Sequence, residues 1–542
     1  MNKIQHQIYM FLKNKFLLFS MLLALIMYLI QSIAYPVYPG RDFATYLMYF
    51  YDYLNETPIF HTLMLFRTPV TPLILGGLFS IGGIILVKIF LCILYVLLIP
   101  AFYYIGNFFN TTISKVFVIF MIFYVPYCEL FHEVSSDNIF LFIFVYWVAH
   151  IFYSYKDLII NKTIFNAFLL FLLILTRPSA QIFLMSGLFI LITNKAFKKK
   201  IINFSIFYLI IVSLLLIYAT HNQVKYNDFT ISRGTNLHLP FYRIFSRDKI
   251  VLPENGPYTK KLAKAVKEDL LKKEPYFSKK IDIKTFFQGN NNHRYFGDIP
   301  SLVDRTWGWN SDHIILKKIS YEAILSHPTV FIKQSILYYF YVLTMPFVVK
   351  APLLHGETSN YDQEQAELIV DYIPHNYFSW QISNPKNIYI TENKRDKLKK
   401  KVNKISGTFP KKSGINFIAL ILNFVTIIFY PSILMLLFFS LIFSLKDKEN
   451  RNLILFFVFY IIVYTFINSL VVNTLHYRLP IDFLAILFGI NGILKLFPVK
   501  TSSIKMPIFY CTIIILIHIG ISLLVNVGLY NIKGYTVLTG IL

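Results

Sequence analysis

Residues 36–72 read PVYPGRDFATYLMYFYDYLNETPIFHTLMLFRTPVTP, a polar and aromatic stretch set between two long apolar runs. The run before it extends to about Tyr35 behind Lys3, Lys13 and Lys15, close to the ~20 residues a bilayer core demands, with no small-residue cleavage pattern after it. It reads as a retained signal anchor. Within the stretch, Arg41 and Asp42 precede Phe43, Tyr46, Leu47, Phe50 and Leu54 at helical spacing. That spacing predicts an amphipathic helix with this face in lipid and its start at the bundle. The Arg67-Thr-Pro-Val-Thr-Pro run then turns the chain back toward the membrane, so polar chemistry is held at a membrane surface.

Composition sets the class. With 542 residues, 56% hydrophobic and 15% charged, a soluble fold could not hide its apolar surface, so the chain reads as an all-α polytopic membrane protein. The basic excess of 52 minus 28, or +24, sits largely as lysine beside apolar runs. It serves topology and anionic membrane lipid, and nucleic acid drops out as a partner. Cys92, Cys128 and Cys511 lie in apolar runs and form neither a disulfide framework nor a zinc site. Richness in Lys, Ile, Asn and Phe points to an AT-rich genome and a bacterial plasma membrane.

Hydropathy predicts eleven spans, near 16–35, 84–105, 115–128, 138–153, 163–176, 180–193, 201–220, 415–444, 452–472, 480–497 and 507–528. With the N-terminus inside, sixteen basic residues fall on inner short segments and six (Arg41, Arg67, Lys88, Arg177, Arg478, Lys533) on outer ones, in line with the positive-inside rule. Residues 163–193 must cross twice with about fourteen residues per leg, about 21 Å of helix against a ~30 Å core. A shallow hairpin broken at Arg177-Pro178 is expected, lining a cavity. Residues 1–220 form an N-terminal transmembrane core with its first outer loop at 36–83, 221–414 an external module, and 415–542 the C-terminal transmembrane helices. In the module, Lys260 to Lys273 reads as a surface helix and Phe286 to Trp309 as loop; 329–350 is nearly apolar enough to cross the membrane, but its Lys333 and Tyr338-Tyr339-Tyr341 cluster suits a headgroup boundary and favours an interfacial helix lying flat.

Candidate chemistry lies at the outer ends. Asp42 is either an N-cap or a general base beside Arg41. His132, Glu133 and Asp137, in LFHEVSSDNIFLF, form a second polar wall or a divalent-cation site, or a solvated turn with Asp137 capping the fourth span. Arg67, Arg177 and Arg478, each followed by Pro directly or within two residues, join Arg41 as a ring able to hold a lipid phosphate; the plainer reading is snorkelling to headgroups. Trp307 and Trp309 could stack on a sugar or simply pack the module.

The motifs YPGRDFATYLMYF, FRTPVTPLILGGLF, SSDNIFLFIFV, L-T-R-P at 175–178 and Y-R-L-P at 477–480, in this order and sidedness, resemble the GT-C membrane glycosyltransferases, in particular the bacterial branch with protein O-mannosyltransferase-like enzymes and lipid A aminoarabinose transferases. The resemblance covers roughly 1–200 and 415–500. It implies a polyprenyl-phosphate-linked sugar as donor, an unspecified lipid, glycan or protein acceptor, and inverting transfer at the outer face. Asp42 matches the family's catalytic carboxylate. Asp137 falls near its second acidic position, with His132-Glu133 equally well placed. Many relatives carry a second acid directly beside the first, where this chain has Arg41 and Phe43 around Asp42. Two other readings fit the same composition: a lipid-linked oligosaccharide transporter or flippase, and an O-antigen polymerase or ligase-type protein.

Overall fold

The computed structural model describes residues 14–34, 36–40, 42–54, 61–157, 159–193, 196–233, 238–273, 276–289, 299, 302–303, 305–308, 311–344, 448–471 and 478–496, with a few single positions between 397 and 442. Apart from one two-residue strand pairing, the architecture of the described residues is all-α. Among the described residues five helices are long and apolar enough to cross a membrane, and the chain is a membrane protein on that ground. The runs expected at 415–444 and 507–528 lie almost entirely outside the described residues, so the fold speaks to only part of the eleven-span expectation.

The bundle begins with α1 (Lys15–Ala34), α2 (Phe43–Tyr53), the short α3 (His61–Phe66) and the long α4 (Val70–Asn107). It continues through α5 (Thr111–Phe123), α6 (Val125–Leu130), α7 (Ser136–Lys156) and α8 (Ile160–Thr176). On α4, Ile81, Ile85, Ile89 and Ile93 form an exposed i, i+4 stripe, while Val87, Leu91, Leu94 and Leu98 turn to the core. Outward apolar side chains of this kind fit a helix whose solvent is lipid. The 38 residues of α4 bend at Gly83, whose φ of 59° and ψ of −154° only glycine adopts readily. The half before the bend packs on α2, where Phe50 occupies the space a Cβ at Gly76 would need.

α2 corrects one expectation. Its stripe does not face lipid: all residues from Phe43 to Asp52 are buried, and among the five named only Leu54 is exposed. The predicted apolar face is a core face, with Phe43 edge-on to Phe79 of α4 at 5.3 Å.

The hairpin over 163–193 breaks where expected. A residue before proline is pushed out of the helical region, and Arg177 is extended (φ −144°, ψ 120°), ending α8. A 3-10 segment, Pro178–Gly187, and one α-turn, Leu188–Leu191, follow in place of a second full helix. α9 (Phe197–Tyr226) then runs back, with Asn203, Phe207, Ile211, Leu215 and Ala219 buried at four-residue spacing and Leu209, Val212 and Leu216 exposed.

Outside the bundle, α10 (His238–Ser246), α11 (Pro257–Glu268), α12 (Ile283–Gln288) and α13 (Asp312–Ser326) enclose a separate core of Phe241, Phe245, Leu262, Phe286, Leu316 and neighbours. The surface helix expected over Lys260 to Lys273 corresponds to α11 and the 3-10 turn Leu270–Lys272. Phe286 and Phe287, expected in loop, are buried in α12 because both rings complete this core. α14 (Pro328–Thr344) leads back and packs lengthwise on α15 (Arg451–Val471), with Tyr339 against Phe466 at 5.7 Å. α16 (Leu479–Leu496) closes the described bundle.

Candidate active site

A two-residue parallel pairing builds the site. Strands β1 (Tyr38–Pro39) and β2 (Glu133–Val134) join the first loop to the α6–α7 turn. Tyr38 N donates to His132 O at 2.9 Å and Gly40 N to Val134 O at 3.2 Å. Gly40 is required there, because a Cβ would lie 2.7 Å from Glu133 Oε1 and 2.8 Å from Val134 O. This register fixes Asp42, two residues later, beside the start of α7.

Asp42 occupies the N-cap position of α2, but its side chain makes no capping bond. Its carbonyl accepts from Thr45 N, Tyr46 N and Thr45 Oγ1. The carboxylate instead pairs with Arg67 Nη2 at 2.7 Å, with 45% of the Asp42 side chain exposed against 20% for Arg67. The Arg67 guanidinium lies over the rings of Tyr46 at 5.2 Å and Phe66 at 5.0 Å. Ser232 Oγ donates to Phe66 O at 2.8 Å and anchors the turn that carries Arg67.

A second acid–guanidinium pair stands close by. Ser135, not Asp137, caps α7, its Oγ accepting from Asp137 N at 3.3 Å. The Asp137 carboxylate is thereby left to pair with Arg177, which the extended backbone before Pro178 presents to it. Tyr46 lies between the pairs and donates its hydroxyl to Ser136 Oγ at 3.0 Å. Burial pushes the Tyr46 phenol up, while Arg67 and, more weakly, Arg177 pull it down and Asp42 pushes it up. With its ring under Arg67 and its hydroxyl on Ser136, the residue before Asp137, Tyr46 links the Asp42–Arg67 pair to the start of α7, where Asp137 meets Arg177. The more buried of the two pairs, Asp137–Arg177, is screened less than a surface pair.

A groove of about 320 Å³ is lined by Gln181, by Val212, Leu216 and Ala219 of α9, and by Phe229 and Ser232. Among its lining residues, Gln181 lies four residues after Arg177, and Ser232 donates to Phe66 O, next to Arg67. The α9 side of the groove combines exposed Val212 and Leu216 with buried Leu215 and Ala219.

The remaining candidates go elsewhere. His132 is fully buried, stacked on Tyr28 at 4.2 Å, with Nε2 2.9 Å from Ser32 Oγ and Nδ1 2.9 Å from Cys128 O. Burial pushes its imidazole down to about 4. Glu133 packs on Gly40, and its carbonyl accepts from Asn138 Nδ2 at 2.6 Å. These three acidic and imidazole groups therefore do not converge, and among the described residues no cluster of three or more His, Cys, Asp or Glu is placed to hold a metal ion. The divalent-cation reading finds no fitting donor set among the described residues there.

Arg478 does not complete an arginine ring. It is fully buried, with Nε 3.1 Å from Asp482 Oδ1 and Nη1 2.6 Å from Val342 O, while Tyr124 holds Asp482 Oδ2 at 2.6 Å. Its charge is spent joining α16 to α6 and α14. Trp307 is half-buried against the module core, under Lys261 Nζ at 4.6 Å. That is packing, the plainer of its two readings. Arg41 and Trp309 lie outside the described residues.

Sequence reasoning missed Tyr46 and Ser136. Tyr46 was hidden by its place in an apparently lipid-facing stripe, although Ser135-Ser136 ahead of Asp137 is a readable capping signal. No family model, curated protein or solved structure matches the chain.

Proposed function

We propose that this chain is a membrane glycosyltransferase that moves a sugar from a polyprenyl-phosphate donor to a hydroxyl acceptor, with inversion, at the outer face of the membrane. The observation that carries the reading is the gathering of two carboxylate–guanidinium pairs around Tyr46, whose ring lies under Arg67 and whose hydroxyl bonds Ser136, the residue before Asp137. A lipid phosphate and an attacking hydroxyl need opposite partners, a fixed cation for the first and a base for the second. Arg67 and Arg177 supply the first and Asp42 the second, Asp42 being the most exposed of the four.

In the resting site Asp42 is held by Arg67. A donor phosphate arriving at that guanidinium competes with the carboxylate and leaves it able to accept a proton. The acceptor oxygen then bonds to the anomeric carbon from the face opposite the phosphate, and its proton passes to Asp42. The bond between the anomeric carbon and the phosphate oxygen breaks, and its electron pair leaves with the polyprenyl phosphate on Arg67 and Arg177.

The test is turnover of labelled polyprenyl-phosphate sugars by the purified protein. Asp42→Asn is expected to lower turnover by about 10²- to 10⁴-fold while polyprenyl phosphate still binds. Undiminished turnover in that variant ends the mechanism.

A further inference from the structure

The external module carries a built projection that the transfer site does not use. Between α11 and α12 the chain turns tightly: Phe277 N donates to Lys273 O at 3.0 Å, Lys280 N to Phe277 O at 3.0 Å and Ile281 N to Tyr276 O at 3.1 Å. Lys280 closes the turn in the left-handed region at φ 50°. Tyr276 fills the module core, edge-on to Phe286 at 5.6 Å. With that place taken, Phe277 points outward and is 67% exposed. Around it stand exposed Lys272, Lys273, Lys279, Lys280 and Lys284.

The acids near this tip are largely committed among the described residues. Asp269 pairs with Lys273 and Arg305, Glu268 with Lys264 at 3.9 Å, and Asp282 accepts from Thr285 N at 2.7 Å to cap α12. The tip is therefore an exposed phenyl ring inside a field of lysine. An aromatic ring flanked by ammonium groups is what the boundary between acyl chains and anionic headgroups accepts.

We propose that this tip, Phe277 with Lys279 and Lys280 at its centre, docks on the anionic surface of the bilayer that holds the bundle. The occupant follows from charge and from tethering. The module begins twelve residues after α9, one of the helices able to cross a membrane, and returns through α14 onto α15, another. Its effective concentration at the bilayer is therefore set by short linkers and not by diffusion. The docking holds the module against the membrane beside the bundle, and it stands apart from the glycosyltransferase reading.

The experiment uses the full chain with Cys92, Cys128 and Cys511 replaced by alanine. Phe277→Cys, or Lys272→Cys as a second vantage, carries an environment-sensitive fluorophore. The protein is reconstituted in vesicles of phosphatidylcholine alone or mixed with phosphatidylglycerol, and the label is quenched by spin-labelled lipid or by aqueous iodide. In anionic vesicles, quenching by lipid should rise by about twofold or more and iodide quenching should fall, with both effects lost in high salt. The Lys279→Glu/Lys280→Glu pair should abolish the change. Equal iodide quenching in both lipid compositions overturns the proposal. So does protection by soluble polyphosphate in neutral vesicles equal to that given by anionic lipid, which would assign the tip to a soluble polyanion. No sugar transfer enters the readout, so either idea can fail without the other.

Discussion

At Asp42 the sequence leaves a cap and a base as competing readings; the side chain makes no capping bond and pairs with Arg67. What places it is a residue that carries no side chain at all. Gly40→Ala would force a Cβ against Val134 O, the acceptor of Gly40's own N–H, and the β1–β2 pairing would open. The proposed transfer should fall by about tenfold or more, since a misplacement of about 1 Å can cost about 10²-fold, while far-UV circular dichroism stays that of the parent. His132 gives a second prediction, about stability. Its imidazole is pushed down to about 4 by burial, below the unfolded value near 6.5. Between those values the unfolded chain binds the extra proton, so stability is intact above about pH 6.5 and declines as pH falls toward 4, by about 3 kcal/mol at most. Thermal unfolding in detergent should show this acid-side loss, and His132→Gln should flatten it relative to the parent.

At the level of elements, α4 offers a paired test in which open space is equal and only backbone geometry differs. A Cβ at Gly77 or at Gly83 meets nothing within 4 Å. Gly77 is ordinary helix, whereas Gly83 sits at φ 59°, ψ −154°. Gly77→Ala should therefore stabilise by about 0.5–1 kcal/mol. Gly83→Ala should destabilise by about 1–3 kcal/mol or straighten the bend, read as opposite shifts in the thermal midpoint and, for Gly83, as a changed spin-label distance between the ends of α4. The same elements show what a sequence discloses. The break at Arg177-Pro178 is legible because proline acts on its immediate neighbour. That the freed guanidinium meets Asp137, forty residues earlier, is not, because nothing local encodes which helix ends become neighbours. The helical period of α2 is legible too, yet periodicity names a buried side without saying whether lipid or protein covers it, and here protein does.

For the whole molecule, the least legible feature is the joint between module and bundle, which turns on Arg243, unremarkable in sequence. Its guanidinium is buried, paired with Asp248 at 3.0 Å, and donates to Ser469 O at 3.0 Å, Leu470 O at 2.9 Å and Ser335 Oγ at 2.9 Å. Ser469 and Leu470 belong to the last turn of α15, whose carbonyls lack helical partners and carry the negative end of the dipole. Phe331 and Tyr338 of α14 lie against the same group at 4.8 and 4.9 Å. One cation from the module thus ties α10 to α14 and to the end of α15. Arg243→Met would leave Asp248 buried without that counter-charge and α15 without its cap, a cost of about 3–5 kcal/mol. Hydrogen exchange should then accelerate in α10, α14 and the last turn of α15, while α1, α4 and α7 keep their protection. Adding Asp248→Leu removes the stranded carboxylate and should restore part of that protection, because replacing both members of a buried pair costs less than removing one. Acceleration spread evenly over all the helices would mean instead that Arg243 supports the bundle as a whole and is no joint between two bodies.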